Sequence, residues 1–317
     1  MNFRLGVTAM GILLVAALAA VAQSAPQPAI PAVLSLFDHY PIVIFGEDHW
    51  QRANGEFYVQ LVRHPEFAKR AGTLVLECGN SLYQPILDRY ENGEDVPFEQ
   101  IAQVWRNTTK VVGWESPIYA NLISAVREVN RGLPTDQRIR VIAADSPIDW
   151  SQIHNQRDYE KAFGGDKFFA SVIEREVLAK NRKALVIMGL NHVTRGGDRR
   201  GDPDLTSMIE KRARHSTYLI ALTAAQPDSD PTLRGTQPSF YPLRGTRLGQ
   251  QRYFDRRFED AADAFLYLGN GGDAVPPDWN ALQNDKVYFT ELQRRHLIEF
   301  GCPLNLETWK RMSRPCS

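Results

Sequence analysis

Six short apolar runs recur along the chain, at 41–45 (PIVIF), 73–77 (TLVLE), 139–145 (IRVIAAD), 184–189 (ALVIMG), 217–223 (TYLIALT) and 263–269 (DAFLYLG). None shows the strict polar alternation of a half-exposed strand, so each reads as a strand covered on both faces. The stretches between them carry helical spacing: GEFYVQLVRHPEFAKRAG after the first run, SLYQPILDRYENG and PFEQIAQVW after the second, SPIYANLISAVREVNRG before the third, KFFASVIEREVLAKNRK before the fourth and DLTSMIEKRAR before the fifth. Strand and helix in turn predict an α/β domain with a largely parallel sheet. No shift of composition divides residues 39–317, which are expected to form a single domain.

Two connections look irregular, 195–204 (RGGDRRGDPD) and 227–258, and loops of that length tend to be lids or unstructured segments. The second repeats LRGT at 233–236 and 243–246, too little for an internal repeat; its arginines either meet an anionic group or keep the loop solvated. The proline- and alanine-rich stretch 23–38 is expected to run extended ahead of the domain.

The opening residues add a compartment. Arg4, an apolar stretch to Ala19 and the small-x-small triplet Ala20-Val21-Ala22 have the layout of a signal peptide over 1–22, cut after about Ala22. Residues 5–22 are nearly long enough to cross a bilayer, so an uncleaved anchor is the alternative. An exported protein, periplasmic or secreted, is expected, with no membrane association after cleavage. Export permits a disulfide: Cys302 and Cys316 could staple the polar tail, whereas Cys78 sits against an apolar run and reads as a buried thiol. Thirty-seven basic and 37 acidic side chains cancel, which argues against nucleic acid as a partner.

The chemistry gathers where the strands stop. In a parallel α/β sheet the carboxyl ends of the strands line the ligand crevice. The first run ends in Gly46-Glu47-Asp48-His49, the second in Glu77, the third in Asp145 and the fourth in Gly189-Leu190-Asn191-His192. If the chain stays extended past Gly46, Glu47 and His49 share a face and Asp48 points away. A carboxylate beside an imidazole suits two tasks, orienting a general base or binding a metal, and spacing does not separate them. G-x-x-H occurs twice, and with 22 glycines and seven histidines chance supplies about half an occurrence, so the matched position after an apolar run matters more than the string. Alone, His49 would read as structural and Glu77 or Asp145 as a helix cap. Together, ionisable groups converging in one crevice repel unless a metal, a substrate or a shared proton compensates them, and that convergence points to a site. His39, His64, His154, His215 and His296 have no such setting and read as surface or core residues. Asn107-Thr108-Thr109 is a glycosylation sequon, and no G-x-S-x-G elbow, P-loop or H-E-x-x-H is present.

At these residues the chain resembles the superfamily that gathers erythromycin esterases, TIKI-type metalloproteases and ChaN-like haem-binding lipoproteins. Gly46 to His49 resembles its first G-E-x-H element, Glu77 its second-strand glutamate, and Gly189 to His192 its second G-x-x-H. Gln84, Asp88 and Tyr90, then Trp105, then Tyr119 follow the ChaN-like layout, and the similarity spans about residues 40–270. The resemblance implies a three-layer α/β/α fold with a pocket around Glu47, His49, Glu77 and His192. Two features differ: the esterases have G-E-x-x-H, one residue longer, and ChaN-like proteins are lipid-anchored whereas this chain has no lipobox cysteine.

The expectation is therefore an exported hydrolase of ester or amide bonds, acting on a small-molecule or peptide substrate. In it His49, oriented by Glu47, activates water, while His192 and Glu77 shuttle the proton or bind a divalent metal (Zn, Mn or Fe) with His49 and Glu47. Asp145 and Asp48 are expected to support these groups, and Arg195, Gln84 and Tyr119 to contact substrate. The alternatives are a haem or iron carrier without catalysis, and an interaction module whose site is dead.

Overall fold

A computed structural model describes residues 26–197, 203–222, 238–269, 273–310 and 316. The proposed signal peptide 1–22 and the first LRGT lie outside the described residues.

The six apolar runs form β2 (Ile42–Glu47), β3 (Thr73–Asn80), β4 (Arg140–Asp145), β5 (Ala184–Gly189), β6 (Thr217–Leu222) and β10 (Ala264–Tyr267). They lie side by side in the order β10-β6-β2-β5-β3-β4, every neighbouring pair parallel. Each strand is covered on both faces because its side chains alternate between two apolar layers. Val43 and Phe45 pack with helices 52–63 and 117–131, and Ile42 and Ile44 pack with helices 165–176 and 205–212. The result is a three-layer α/β/α fold with a largely parallel central sheet. Its two edge additions are β7 (Ser239–Pro242), antiparallel to β10, and β1 (Gln27–Pro28), antiparallel to β7.

Two expectations need correction. Residues 29–36, expected as extended leader, form a helix that buries Ala29, Ala32, Val33 and Leu34 against the sheet. Its apolar residues recur at helical spacing, and Pro31 falls in the first turn, where a missing N–H breaks no helical hydrogen bond. The 227–258 connection is not wholly irregular, since it holds β7 and a ribbon of β8 (Arg252–Tyr253) and β9 (Arg256–Arg257). Four-residue and two-residue strands amid polar residues leave too short a pattern to detect.

A third apolar cluster, including Ile148, Trp150, Tyr159 and Leu292, seats the helix Lys286–Phe300 against the carboxyl end of the sheet. Beyond that helix Cys302 and Cys316 form a disulfide, and Cys78 is a buried free thiol. No described helix is long and apolar enough to cross a membrane.

Candidate functional site

Register brings the two G-x-x-H strings together. β2 and β5 are neighbours paired from Ile42↔Ala184 to Glu47↔Gly189, so both strings leave the sheet at the same level. The glycines are required by close approach rather than by unusual torsion. A Cβ on Gly46 would stand 2.7 Å from Leu190 and 2.8 Å from Val193, which belong to the short helix 190–193 carrying His192. A Cβ on Gly189 would stand 2.8 Å from His49 Nε2. Each glycine therefore makes room for the other string's residues.

After His49 the chain turns through Trp50, whose φ of 67° lies in a region that bulky residues seldom occupy. The turn is fixed by neighbours: Trp50 Nε1 donates to the Gly113 carbonyl at 2.7 Å, and the Trp50 carbonyl accepts from Val275 N at 2.6 Å.

Glu47 is 3% exposed, and its carboxylate gathers three donors. Tyr58, from helix 52–63, donates to Oε2; Tyr119, from helix 117–131, donates to Oε1 at 2.6 Å; and His49 Nδ1 stands 2.9 Å from Oε1. Burial, reinforced by the charge of Glu47, pushes both tyrosine hydroxyls far above their ordinary range, so they remain donors. With Nδ1 turned to Glu47, the other ring nitrogen, Nε2, stands 4.0 Å from Glu77 Oε1, and His49 lines the cavity described below. Trp114 packs edge-on against the His49 ring, with centroids 4.7 Å apart.

The second string builds a different pair. His192 Nδ1 lies 2.5 Å from Asp166 Oδ1, at the start of helix 165–176, and its Nε2 lies 3.4 Å from Glu77 Oε1. Burial opposes a charged imidazole, but the two carboxylates outweigh it and push His192 up to about 10, so it is imidazolium at neutral pH. Burial likewise opposes charge on Glu77, yet the hydrogen bond from His192 and the fields of His49, His192 and Lys110 hold it well below the usual carboxylate range. Gly189 N–H donates to Glu77 Oε2 at 2.6 Å. Glu77 Oε1 thus stands 3.4 Å from one imidazole and 4.0 Å from the other.

These groups open into a cavity of about 580 Å³, whose floor is Glu47, Asp48, His49, Glu77 and His192 and whose wall includes Lys110, Tyr159 and Glu299. Burial raises Glu299 to about 7.

The remaining expected site residues divide. Tyr119 is in the site, but at 2% exposed it holds Glu47 rather than meeting substrate. Asp48 is among the residues that line the cavity. Asp145 is pushed up to about 6 by burial and accepts from Thr109 N, Thr109 Oγ1 and Ser146 N, which makes it the anchor of the loop beside the cavity. Gln84 is not at the site. It bonds the Ala143 N–H and the Val141 carbonyl on the free side of the edge strand β4. A glutamine there satisfies backbone groups that an edge leaves unpaired. Arg195 is not at the site either, because Asp263 holds it at 2.7 Å with Glu210 at 3.6 Å. The expected metal donors do not converge as a set, since Tyr58, Tyr119 and His49 occupy the Glu47 carboxylate, and no group of three or more His, Cys, Asp or Glu suited to a metal occurs among the described residues.

Asn107 of the sequon is engaged, donating to Tyr83 and accepting from Arg295. Of the other histidines, His39, His154 and His215 are exposed, His64 caps the helix that follows it, and His296 is buried in the tail. Tyr58, Lys110, Trp114, Asp166 and Glu299 escaped the sequence reading. Only Asp166 had a signal, as an acid in the first turn of a helix behind a Gly-Gly pair.

No family model and no curated protein matches the sequence. Among solved structures, a Bacillus cereus protein superposes with a TM-score of 0.51 at 12% identity, over 80% of this chain and 96% of that one. ChaN of Campylobacter jejuni, whose structure is described by cofacial haem binding, superposes with a TM-score of 0.46 at 12% identity, over 77% and 92% of the two chains. At these identities the likeness to the Bacillus cereus protein concerns the fold alone, and that fold is a three-layer α/β/α sandwich on a largely parallel sheet.

Proposed function

We propose that the chain is a hydrolase of ester or amide bonds in which His49 is the general base. One observation carries the reading: Glu47, held by two buried tyrosines, fixes His49 Nδ1 at 2.9 Å, which leaves Nε2 as the nitrogen to take a proton, and His49 lines a cavity large enough for substrate. In the reaction a water gives its proton to Nε2 while its oxygen bonds to the carbonyl carbon and the carbonyl π pair moves onto oxygen. When that pair returns, the bond to the leaving group breaks, and the leaving group takes the proton from His49. Each step balances without a second nucleophile. His192 lends its positive charge to the same corner and keeps Glu77 ionised.

The metal donor set does not assemble, and no step is assigned to a metal. A haem iron would take an imidazole nitrogen, and of the two histidines lining the cavity His49 would supply it through Nε2, since both nitrogens of His192 lie closer to carboxylates.

The test compares wild type with His49→Ala and Glu47→Gln on panels of esters and amides and in haem titration. Turnover lost in both variants, with circular dichroism unchanged, supports the hydrolase. A Soret band that His49→Ala abolishes, without turnover by the wild type, would replace it with haem binding. Turnover retained in His49→Ala sinks the mechanism.

A further inference from the structure

The reaction proposed above places negative charge on the former carbonyl oxygen, and a site that stabilises it needs a fixed donor or cation there. Three basic side chains line the cavity: His49, His192 and Lys110. His49 is the base. Both nitrogens of His192 face carboxylates, Asp166 at 2.5 Å and Glu77 at 3.4 Å. The Gly189 N–H, at the end of β5, is spent on Glu77 Oε2.

Lys110 differs from both. It is half-buried, and among the described residues it makes no ion pair, although its field reaches Glu77 and Glu299. Its Nζ lies 4.8 Å from the centre of the Trp114 ring, the same indole that packs on His49. A cation over an aromatic face is held without being neutralised.

The backbone that carries Lys110 is tied down residue by residue. Thr109 N–H and Oγ1 both donate to Asp145. The Thr108 carbonyl accepts from Trp150 Nε1 at 3.0 Å, the Thr109 carbonyl from Tyr159 at 3.2 Å, and the Lys110 carbonyl from Thr108 Oγ1 at 2.9 Å. Three successive carbonyls with side-chain partners make this a preorganised loop, and the buried Asp145 carboxyl has its use here.

We propose that Lys110 is a further catalytic residue, whose ammonium group, laid on Trp114, faces the oxyanion formed when water adds to the substrate carbonyl. The assignment rests on the hydrolase reading of His49. Lys110 exchanges no proton in the step and supplies charge alone.

The experiment measures two quantities on wild type, Lys110→Met and Lys110→Arg: kcat and KM on an ester turned over by the wild type, and affinity for phenylphosphonate, a tetrahedral anion, by calorimetry. Lys110→Met is expected to lower kcat about 100-fold with KM little changed, and to weaken phenylphosphonate at least about tenfold. Lys110→Arg should recover part of both, with melting temperatures near that of the wild type. Unchanged kcat in Lys110→Met beside a functioning wild type overturns the Lys110 role and leaves His49 standing. If no ester is turned over but phenylphosphonate binds and needs Lys110, the anion contact stands and the hydrolase reading falls. Phenylphosphonate that binds the wild type and Lys110→Met equally, or neither, overturns the proposal.

Discussion

His49 Nε2 lies 2.8 Å from the point where a Cβ of Gly189 would stand. His49, from one string, therefore occupies space that only a glycine in the other string leaves open. Gly189→Ala should push the His49 ring out of line with Glu47 without unfolding the sheet, because the Gly189 torsions, φ −55° and ψ 137°, suit alanine. Displacing a catalytic group by about 1 Å costs on the order of 100-fold in rate. Steady-state kinetics of Gly189→Ala beside its circular dichroism spectrum checks this; near-wild-type kcat would mean that the ring has freedom the packing denies it.

The donors on Glu47 make a second expectation. Tyr58→Phe removes the hydroxyl that bonds Oε2 and leaves a buried carboxylate oxygen short of a partner. Such a deficit costs roughly 1–3 kcal/mol, so urea unfolding should show a loss of that size. Tyr119→Phe should lower kcat more than Tyr58→Phe, because Tyr119 bonds Oε1, the same oxygen that fixes His49.

The legible part of this protein was the part written in contiguous residues. The runs ending at Gly46 and Gly189 announced strand ends, and parallel pairing then put Glu47, His49, Glu77 and His192 in one place. What stayed hidden depends on packing between distant segments. Tyr58 and Tyr119 reach Glu47 only because helices 52–63 and 117–131 cover one face of the sheet, and in sequence they resemble ordinary core aromatics. Lys110 and Trp114 lie in an irregular loop with no periodicity, and Asp166 meets His192 across 26 residues. Gln84 and Arg195 were misplaced because a polar side chain near a strand serves a sheet edge or a buried pair as readily as a ligand.

Gln84 gives a prediction opposite in kind. Gln84→Ala strips partners from the Ala143 N–H and the Val141 carbonyl at the edge of β4. Stability should fall by roughly 1–3 kcal/mol, while kcat and KM stay near wild type. A KM effect without a stability effect would restore Gln84 to the substrate.

The His192 pair predicts how stability follows pH. Its folded pKa of about 10 exceeds the ordinary 6.5, so the native state holds a proton that the unfolded chain releases. The stabilisation is complete below about pH 6.5 and is lost as pH rises towards 10. Glu77 works with the opposite sign: its depressed pKa stabilises the fold above the ordinary 4.5 and the benefit is lost as pH falls. His192 keeps part of its side chain in solvent, which screens the effect. Unfolding free energies measured by urea between pH 6 and 10 should therefore decline for wild type, and more shallowly for Asp166→Asn, which removes one of the two carboxylates facing the ring. Histidine NMR should show the His192 titration moving downward in the same variant. An unmoved titration beside an unchanged slope would mean that Asp166 does not hold the proton on His192.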